Sequence, residues 1–195
     1  MAKINSCPDY PLVCASQKGD KEAFEQLVLK YQNRIFNMLL RMIGDYEIAL
    51  DLSQETFTHA YQGLKKFKKE SAFFTWLFRI ALNIATSKKR QLARHSQKVF
   101  LSQESDSSLN SIEDATREIS PENHLLQEEM QSEIQKAISS LPSEFREALI
   151  LRDMEDLSYE EIQEILCCPL GTVRSRIHRA RLMLKEKLSG MTENF

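Results

Sequence analysis

The side chains with the most chemical reach in this chain are the arginines near its C-terminal end. Between Pro169 and Lys187 stand Arg174, Arg176, Arg179, Arg181, Lys185 and Lys187, against one acid, Glu186. A guanidinium fork can hold guanine O6 and N7 together in a major groove, and its charge also binds phosphate. Thr172, Ser175 and His178 add hydrogen-bonding groups to the same run. A basic helix alone is a weak sign, because cations favour the last turns of any helix. Here, however, the run follows the turn Pro169-Leu170-Gly171-Thr172 and a short segment opening with Ser158-Tyr159-Glu160-Glu161. That Ser-x-x-Glu order is a capping box, in which hydroxyl and carboxylate each satisfy the other's backbone N–H. A short helix, a turn and a basic helix make a helix-turn-helix, with Ile162, Ile165, Leu166, Val173 and Ile177 inside and the second helix as reader. His178 has no partner histidine at metal-ligand spacing, so it is read as a base or phosphate contact.

A second constellation runs from Ser71 to Asn83 as Ser-Ala-Phe-Phe-Thr-Trp-Leu-Phe-Arg-Ile-Ala-Leu-Asn, behind the basic loop Phe67-Lys68-Lys69-Glu70. Aromatic rings stack on unpaired bases, lysine and arginine follow phosphates, and an amide can pair with a base edge, so the mixture suits single-stranded DNA. Packing competes for the same residues: Phe74, Leu77, Phe78, Ile80, Ala81 and Ile84 recur at helical spacing and belong mostly to a core. Trp76 stands between core and wedge. A third group, Asp51, Gln54 and Glu55, shares one helical face at i, i+3 and i+4, with Leu52 and Phe57 turned inward. Taken alone, that face reads as ordinary solvation.

Other chemistries are poorly served. There is no glycine-rich phosphate loop, no nucleophile–base–acid set, and no group of metal-binding carboxylates outside one acidic stretch. We therefore expect no catalytic site, no cofactor and no small-molecule substrate. Cys7 and Cys14 lie near the N-terminus while Cys167 and Cys168 are adjacent, spacings that suit neither a disulfide framework nor zinc. Reduced thiols are expected, with Cys167 packed beside the turn. No apolar stretch approaches the roughly 20 residues of a membrane span, and Met1 to Ser6 lack a secretory apolar block, so the expected compartment is the cytoplasm.

The elements that must position these residues are helical. Glycine and proline number five each in 195 residues, and the apolar residues fall at intervals of three and four. Helices are expected over about Asp20–Met42, Tyr46–Phe67, from an N-cap at Ser71 to Arg94, then Glu122–Ser140, Ser143–Asp153, Tyr159–Cys167 and Leu170–Leu188. Gly44-Asp45 and Pro142 separate neighbours. Net charge is −2 but unevenly spread. Lys65, Lys66, Lys68, Lys69, Arg79, Lys88, Lys89, Arg90 and Arg94 oppose Glu70 alone in 64–94, a polyanion-facing pattern. Residues 96–133 are acidic, and 95–121 are rich in Ser, Asp and Glu, the composition of a flexible linker. The expectation is an all-α protein of two small helical domains, a bundle of three to four helices over 20–94 and a four-helix domain over 122–190. The acidic linker 95–121 joins them, and 1–19 form a segment without interpretable pattern.

The run Leu157-Ser158-Tyr159-Glu160-Glu161-Ile162, followed by Gly171-Thr172-Val173-Arg174-Ser175-Arg176-Ile177-His178-Arg179-Ala180-Arg181, resembles the −35-reading domain of extracytoplasmic-function (ECF) sigma factors of the sigma-70 family. Asp51-Leu52-Ser53-Gln54-Glu55-Thr56-Phe57 resembles that family's polymerase-binding segment, and 71–83 its −10 region. The likeness covers about residues 20–94 and 122–188.

The resemblance implies a promoter-recognition subunit of RNA polymerase that is not itself an enzyme. It implies core-polymerase contact through Asp51, Gln54 and Glu55, on a coiled coil of the largest subunit's clamp, with the flap as a further contact. It implies −10 recognition by Phe67, Lys68, Lys69 and Ser71 of a loop that takes a flipped-out base, by Asn83 as reading amide, and by Arg79, with Lys65, along the backbone. It implies −35 contacts by Thr172, Arg174, Ser175, His178 and Arg179, with a GGAAC-like element. Close relatives often carry an aromatic residue where His178 stands. An anti-sigma factor, often held at the membrane, is the further partner implied, together with a stress-response regulon and a nucleoid location when active. Two other readings compete: a free-standing dimeric helix-turn-helix regulator, which would bind palindromic DNA without polymerase, and an enzyme with a DNA-binding tail, which lacks the site residues described above.

Overall fold

The computed structural model describes residues 8–99, 130 and 132–192. Every regular element among them is helical, in the order α1 Tyr10–Gln17, α2 Lys21–Ile43, α3 Tyr46–Gly63, a 3-10 turn Leu64–Lys66, α4 Phe73–Val99, α5 at 132–139, α6 Ser143–Leu149 running into a π-helical turn Ile150–Met154, α7 Tyr159–Leu166 and α8 Leu170–Thr192.

Local chemistry sets the boundaries. Asp20 and Asp45 cap α2 and α3, each carboxylate accepting from the backbone N–H three residues on. Between them Gly44 sits at φ 82°, a left-handed stop that costs glycine nothing. The expected break at Gly44-Asp45 is therefore found. Three boundaries differ from expectation. The second long helix stops at Gly63 and tightens into the 3-10 turn, so Phe67 lies beyond it. Helix α4 begins at Phe73, leaving Ala72, not Ser71, at the position before it, and it continues to Val99. The first five residues read as linker are thus helical, and the rest of the linker lies outside the described residues, as do 122–129 and 131 of the helix expected over Glu122–Ser140. Finally, the N-terminal segment contains α1, which composition alone did not mark.

The N-terminal bundle buries one stripe of each helix: Leu27, Ile35, Met38 and Leu39 of α2, Ala49, Leu52 and Ala60 of α3, and Leu77, Phe78 and Ala81 of α4. At about 25 cal/mol per Å² of apolar surface, burying one such leucine contributes roughly 1.5–3 kcal/mol. Helices α5 to α8 close a second, smaller unit. Its α5–α6 turn is tied by the buried Arg146, which donates to the carbonyls of Ile138, Ser139 and Leu141.

The two units pack on each other. Helix α7 lies against α4, and the π-helical turn against α2. Leu151, Leu157, Ile162, Val173 and Ile177 belong to the same apolar cluster as Leu27, Ile35 and Phe78. Polar pins edge the seam: Arg34 donates to the Glu155 carboxylate at 3.2 Å and to its carbonyl at 3.1 Å, and Gln135 donates to the Arg41 carbonyl at 3.0 Å. Thr86 and Glu147 meet at 3.4 Å. Burial pushes both Glu147 and Glu155 above the usual carboxylate range, against the opposing pull of Thr86 and of Arg34 respectively.

Candidate nucleic-acid interface

The C-terminal surface is built as the sequence indicated. Ser158 accepts from the Glu161 N–H, and the Glu161 carboxylate accepts from the Ser158 N–H at 2.8 Å, so the capping box is complete. Helix α7 ends at Cys167, which adopts φ 50°. That residue is exposed, contrary to the packed role expected for it; its neighbour Cys168 is the one that packs against the core. The reason is geometric: a left-handed C-cap turns its own side chain away and swings the chain back, so the burial passes to the next position.

On α8 Val173, Ile177 and Ala180 are buried and form the inner stripe. Arg174, Ser175, His178 and Arg179 all lie on the exposed side, brought together by i, i+3 and i+4 spacing, while Thr172 at the helix start is half-buried. The cations divide by task. Arg176 pairs with Glu144 at 3.0 Å, and Arg181 reaches Asp153 at 2.5 Å, so these two tie α8 to α6 and the π-helical turn. Asp153 raises the Arg181 guanidinium further above its usual range. Arg174 instead lies 5.8 Å from the centre of the Tyr159 ring, and Arg152 lies 5.3 Å from that same centre. Charge and composition treat all the α8 arginines alike; the acids that meet Arg176 and Arg181 across 32 and 28 residues set these two apart from the exposed Arg174 and Arg179.

The N-terminal candidates occupy two places. Asp51, Gln54 and Glu55 are exposed on α3, above the buried Leu52, Ser53 and Thr56. Asn83 is exposed on α4, and both it and Asp51 and Glu55 edge one groove between α3 and α4, floored by Trp76 and Ile80. Arg79 is half-buried, and its Nε is buried with no hydrogen-bond partner. Lys65 and Lys68 are exposed.

The loop 67–72 is held from both sides. Phe67 is buried, stacked on Trp76 with ring centres 4.7 Å apart and edge-on to Phe73. Trp76 is therefore half-buried packing for the loop. From α1, Gln17 Nε2 donates to the carbonyls of Leu64 and Phe67, both at 2.9 Å. Lys69 takes φ 60°, and its ammonium donates to Cys14 Sγ at 3.1 Å while lying 5.1 Å from the Tyr10 ring centre. Hydrogen bonding from Lys69 holds the Cys14 thiol below its ordinary range, and the same bond raises Lys69. Ser71 is half-buried beside it. The contribution of α1 was missed from sequence. Its only signal is Gln17-Lys18-Gly19-Asp20, a helix stop running into an N-cap.

No described helix is long and apolar enough to cross a membrane, and the described residues hold no group of three metal-binding side chains.

Comparison with known proteins supplies the remaining observations. The family model for Sigma-70 region 2 matches residues 27–95, and that for Sigma-70, region 4 matches 131–184. The RNA polymerase sigma-H factor of Pseudomonas aeruginosa is 41% identical over 191 residues, covering 92% of this chain and 93% of that protein. The ECF RNA polymerase sigma-E factor of Escherichia coli K12 is 41% identical over 183 residues, covering 92% and 94%. Among solved structures, the sigma factor RpoE in complex with the anti-sigma factor NepR from Bartonella quintana superimposes with TM-score 0.66 at 26% identity, over 85% of this chain and 96% of that one. CnrH in complex with the cytosolic domain of CnrY shares the fold, with TM-score 0.67 at 24% identity over 93% and 97%.

Proposed function

The chain belongs to the extracytoplasmic-function group of the sigma-70 family, RNA polymerase sigma factors that act in transcription initiation, and from that membership we propose how its surfaces divide the work. Asp51, Gln54 and Glu55 dock on the clamp coiled coil of the core enzyme's largest subunit, with the C-terminal unit against the flap. Arg174, Ser175, His178 and Arg179 read the −35 element in the major groove, with Thr172 at the helix start. The loop holding Phe67, Lys68, Lys69 and Ser71, together with Asn83 and Arg79, captures unpaired −10 bases and nucleates melting. Catalysis stays with the core enzyme.

The observation that carries this reading is the separation of tasks on α8. Two arginines are committed to acids of its own unit, while Arg174, His178 and Arg179 stay exposed opposite the buried stripe. A helix only stabilised by surface charge would have no reason to leave one face cationic and open.

The packed seam adds a condition. Promoter elements about 17 base pairs apart lie roughly 58 Å from each other at about 3.4 Å per step. With α7 resting on α4, the two units that carry the readers are in contact. Reading both elements therefore requires the seam to part, and the stretch 100–121 would reach roughly 70 Å at about 3.3 Å per residue if extended, enough to span the gap. Likeness to a sigma factor crystallised with an anti-sigma factor supports regulation by such a partner, at the inner membrane when that partner spans it, with release serving a stress regulon.

Run-off transcription with bacterial core polymerase, on a template carrying a GGAAC-type −35 element and matched −10, tests the assignment. Specific transcripts that need this chain and vanish with Asn83→Ala or Arg174→Ala are expected. Tight duplex binding without polymerase, and no transcript with it, would sink the proposal in favour of a free-standing regulator.

A further inference from the structure

The N-terminal helix is fastened beside the −10 loop at both ends. At its start the buried Asp9 accepts hydrogen bonds from Lys30 and Tyr31 of α2. At its end Gln17 holds the Leu64 and Phe67 carbonyls. Between these anchors a cleft opens, lined by Asp9 just before α1, by Tyr10 and Val13 of α1, and by Phe67, Lys69 and Ser71 of the loop. In this state it is too narrow to admit more than a water. What crosses it is Lys69: its backbone belongs to the loop, in a left-handed conformation that non-glycine residues rarely adopt, and its ammonium sits at Cys14 and the Tyr10 ring on the far side.

We infer that α1 is the second wall of the −10 base pocket, that Tyr10 supplies the ring on which the unstacked base settles, and that Lys69 is the bar that leaves Tyr10 to let it in. The inference rests on the −10 reading of loop 67–71 proposed above. It follows from what the groups can exchange. A cation over a ring and a base on a ring use the same π face, so one replaces the other. The displaced ammonium then has a phosphate, the one belonging to the incoming nucleotide, as its new partner. Phe67, buried and stacked on Trp76, cannot serve as that platform, and Trp76 lines the α3–α4 groove and not this cleft. Tyr10, half-exposed and rigidly carried, can.

The test uses holoenzyme assembled from the full chain and core polymerase, with forked promoter DNA in which 2-aminopurine replaces each −10 base of the exposed strand in turn. At one position the bound signal should be brighter with Tyr10→Leu, which keeps apolar bulk but removes the ring, than with wild type or Tyr10→Phe. Binding to the −10 strand should weaken at least about 5-fold with Tyr10→Leu, the lower end of what losing one base–aromatic stack costs. Duplex −35 binding should not change, which also reports that the variant folds. If wild-type holoenzyme discriminates −10 bases and Tyr10→Leu matches it in signal and affinity, α1 is not part of the pocket although the loop reading stands. If wild type shows neither a position-specific signal nor base preference, both readings fall.

Discussion

The two regions proposed to face DNA are built by opposite means. The C-terminal reader is a helix face assembled from neighbours in sequence: a capping box four residues long, a left-handed stop at Cys167, and an exposed row on α8 at i, i+3 and i+4. The N-terminal reader is a loop whose shape depends on contacts 47 to 55 residues away, from Gln17 and Cys14. A surface set by local rules tolerates change elsewhere in the chain. One set by distant partners fails when any of them is lost, and fails in a way that leaves the other reader intact.

The sharpest way to break that contrast is Gln17→Leu. It takes the side-chain donor from the Phe67 carbonyl and one of two donors from the Leu64 carbonyl, which keeps the Phe67 N–H, in a partly buried place, at about 1–3 kcal/mol for an unsatisfied group of this kind. We expect a fall of about 2–3 kcal/mol in unfolding free energy, measured by urea titration, and loss of −10 base preference while −35 duplex binding holds. If −35 binding fell equally, the two readers would not be separable.

Next in size is Arg34→Met. Glu155 is buried to 8% exposure and receives two hydrogen bonds from Arg34 across the seam. Because Arg34 itself is partly exposed, the loss should be about 1–2 kcal/mol, below that for a fully buried pair. Its signature is a seam that opens more readily. Amide exchange should quicken in α7 and in the face of α4 beneath it, and not in α3. Uniform quickening across all three helices would mean that the seam is part of global stability and not a separable contact. Smaller again is Ser158→Ala, which removes half of the capping box for about 1 kcal/mol. It should weaken −35 binding several-fold at most and leave −10 discrimination untouched.

These differences also explain how much could be read in advance. Helix content, the break at Gly44-Asp45, the capping box and the exposed residues of α8 follow from spacing, because each is decided within a few residues. The family likeness of both segments was equally visible there. What stayed hidden required a partner from far along the chain. That Arg176 and Arg181 pair with Glu144 and Asp153 is invisible in the basic run itself. Tyr10 and Gln17 carry no periodic signal in a helix of eight residues, too short to show one. Phe67 reads as a base contact by its place in a basic loop, yet its ring is core because Trp76, nine residues later, stacks on it. The packing of α7 on α4 has no sequence signature, since it joins residues far apart in the chain.

The smallest predicted effect tests that seam. Glu147 lies against Thr86, with Arg90, Arg146 and Arg176 nearby, and Glu155 lies against Arg34, with Arg41 nearby. Both carboxyls are held above the usual range mainly by burial, so the packed state binds their protons more tightly than the open chain does. Packing is then favoured most below the ordinary glutamate pKa of about 4.3, and that advantage drains away as pH rises from there through the raised values. Above them the dependence is flat. Unfolding free energy measured at steps across this window should fall with a shallow slope that Glu147→Gln and Glu155→Gln each reduce and the double variant removes. The amide in each variant keeps the shape and the acceptor oxygen while having nothing to titrate. A slope unchanged in the double variant would place the titrating groups outside the seam, and the two units would then part without regard to these carboxylates.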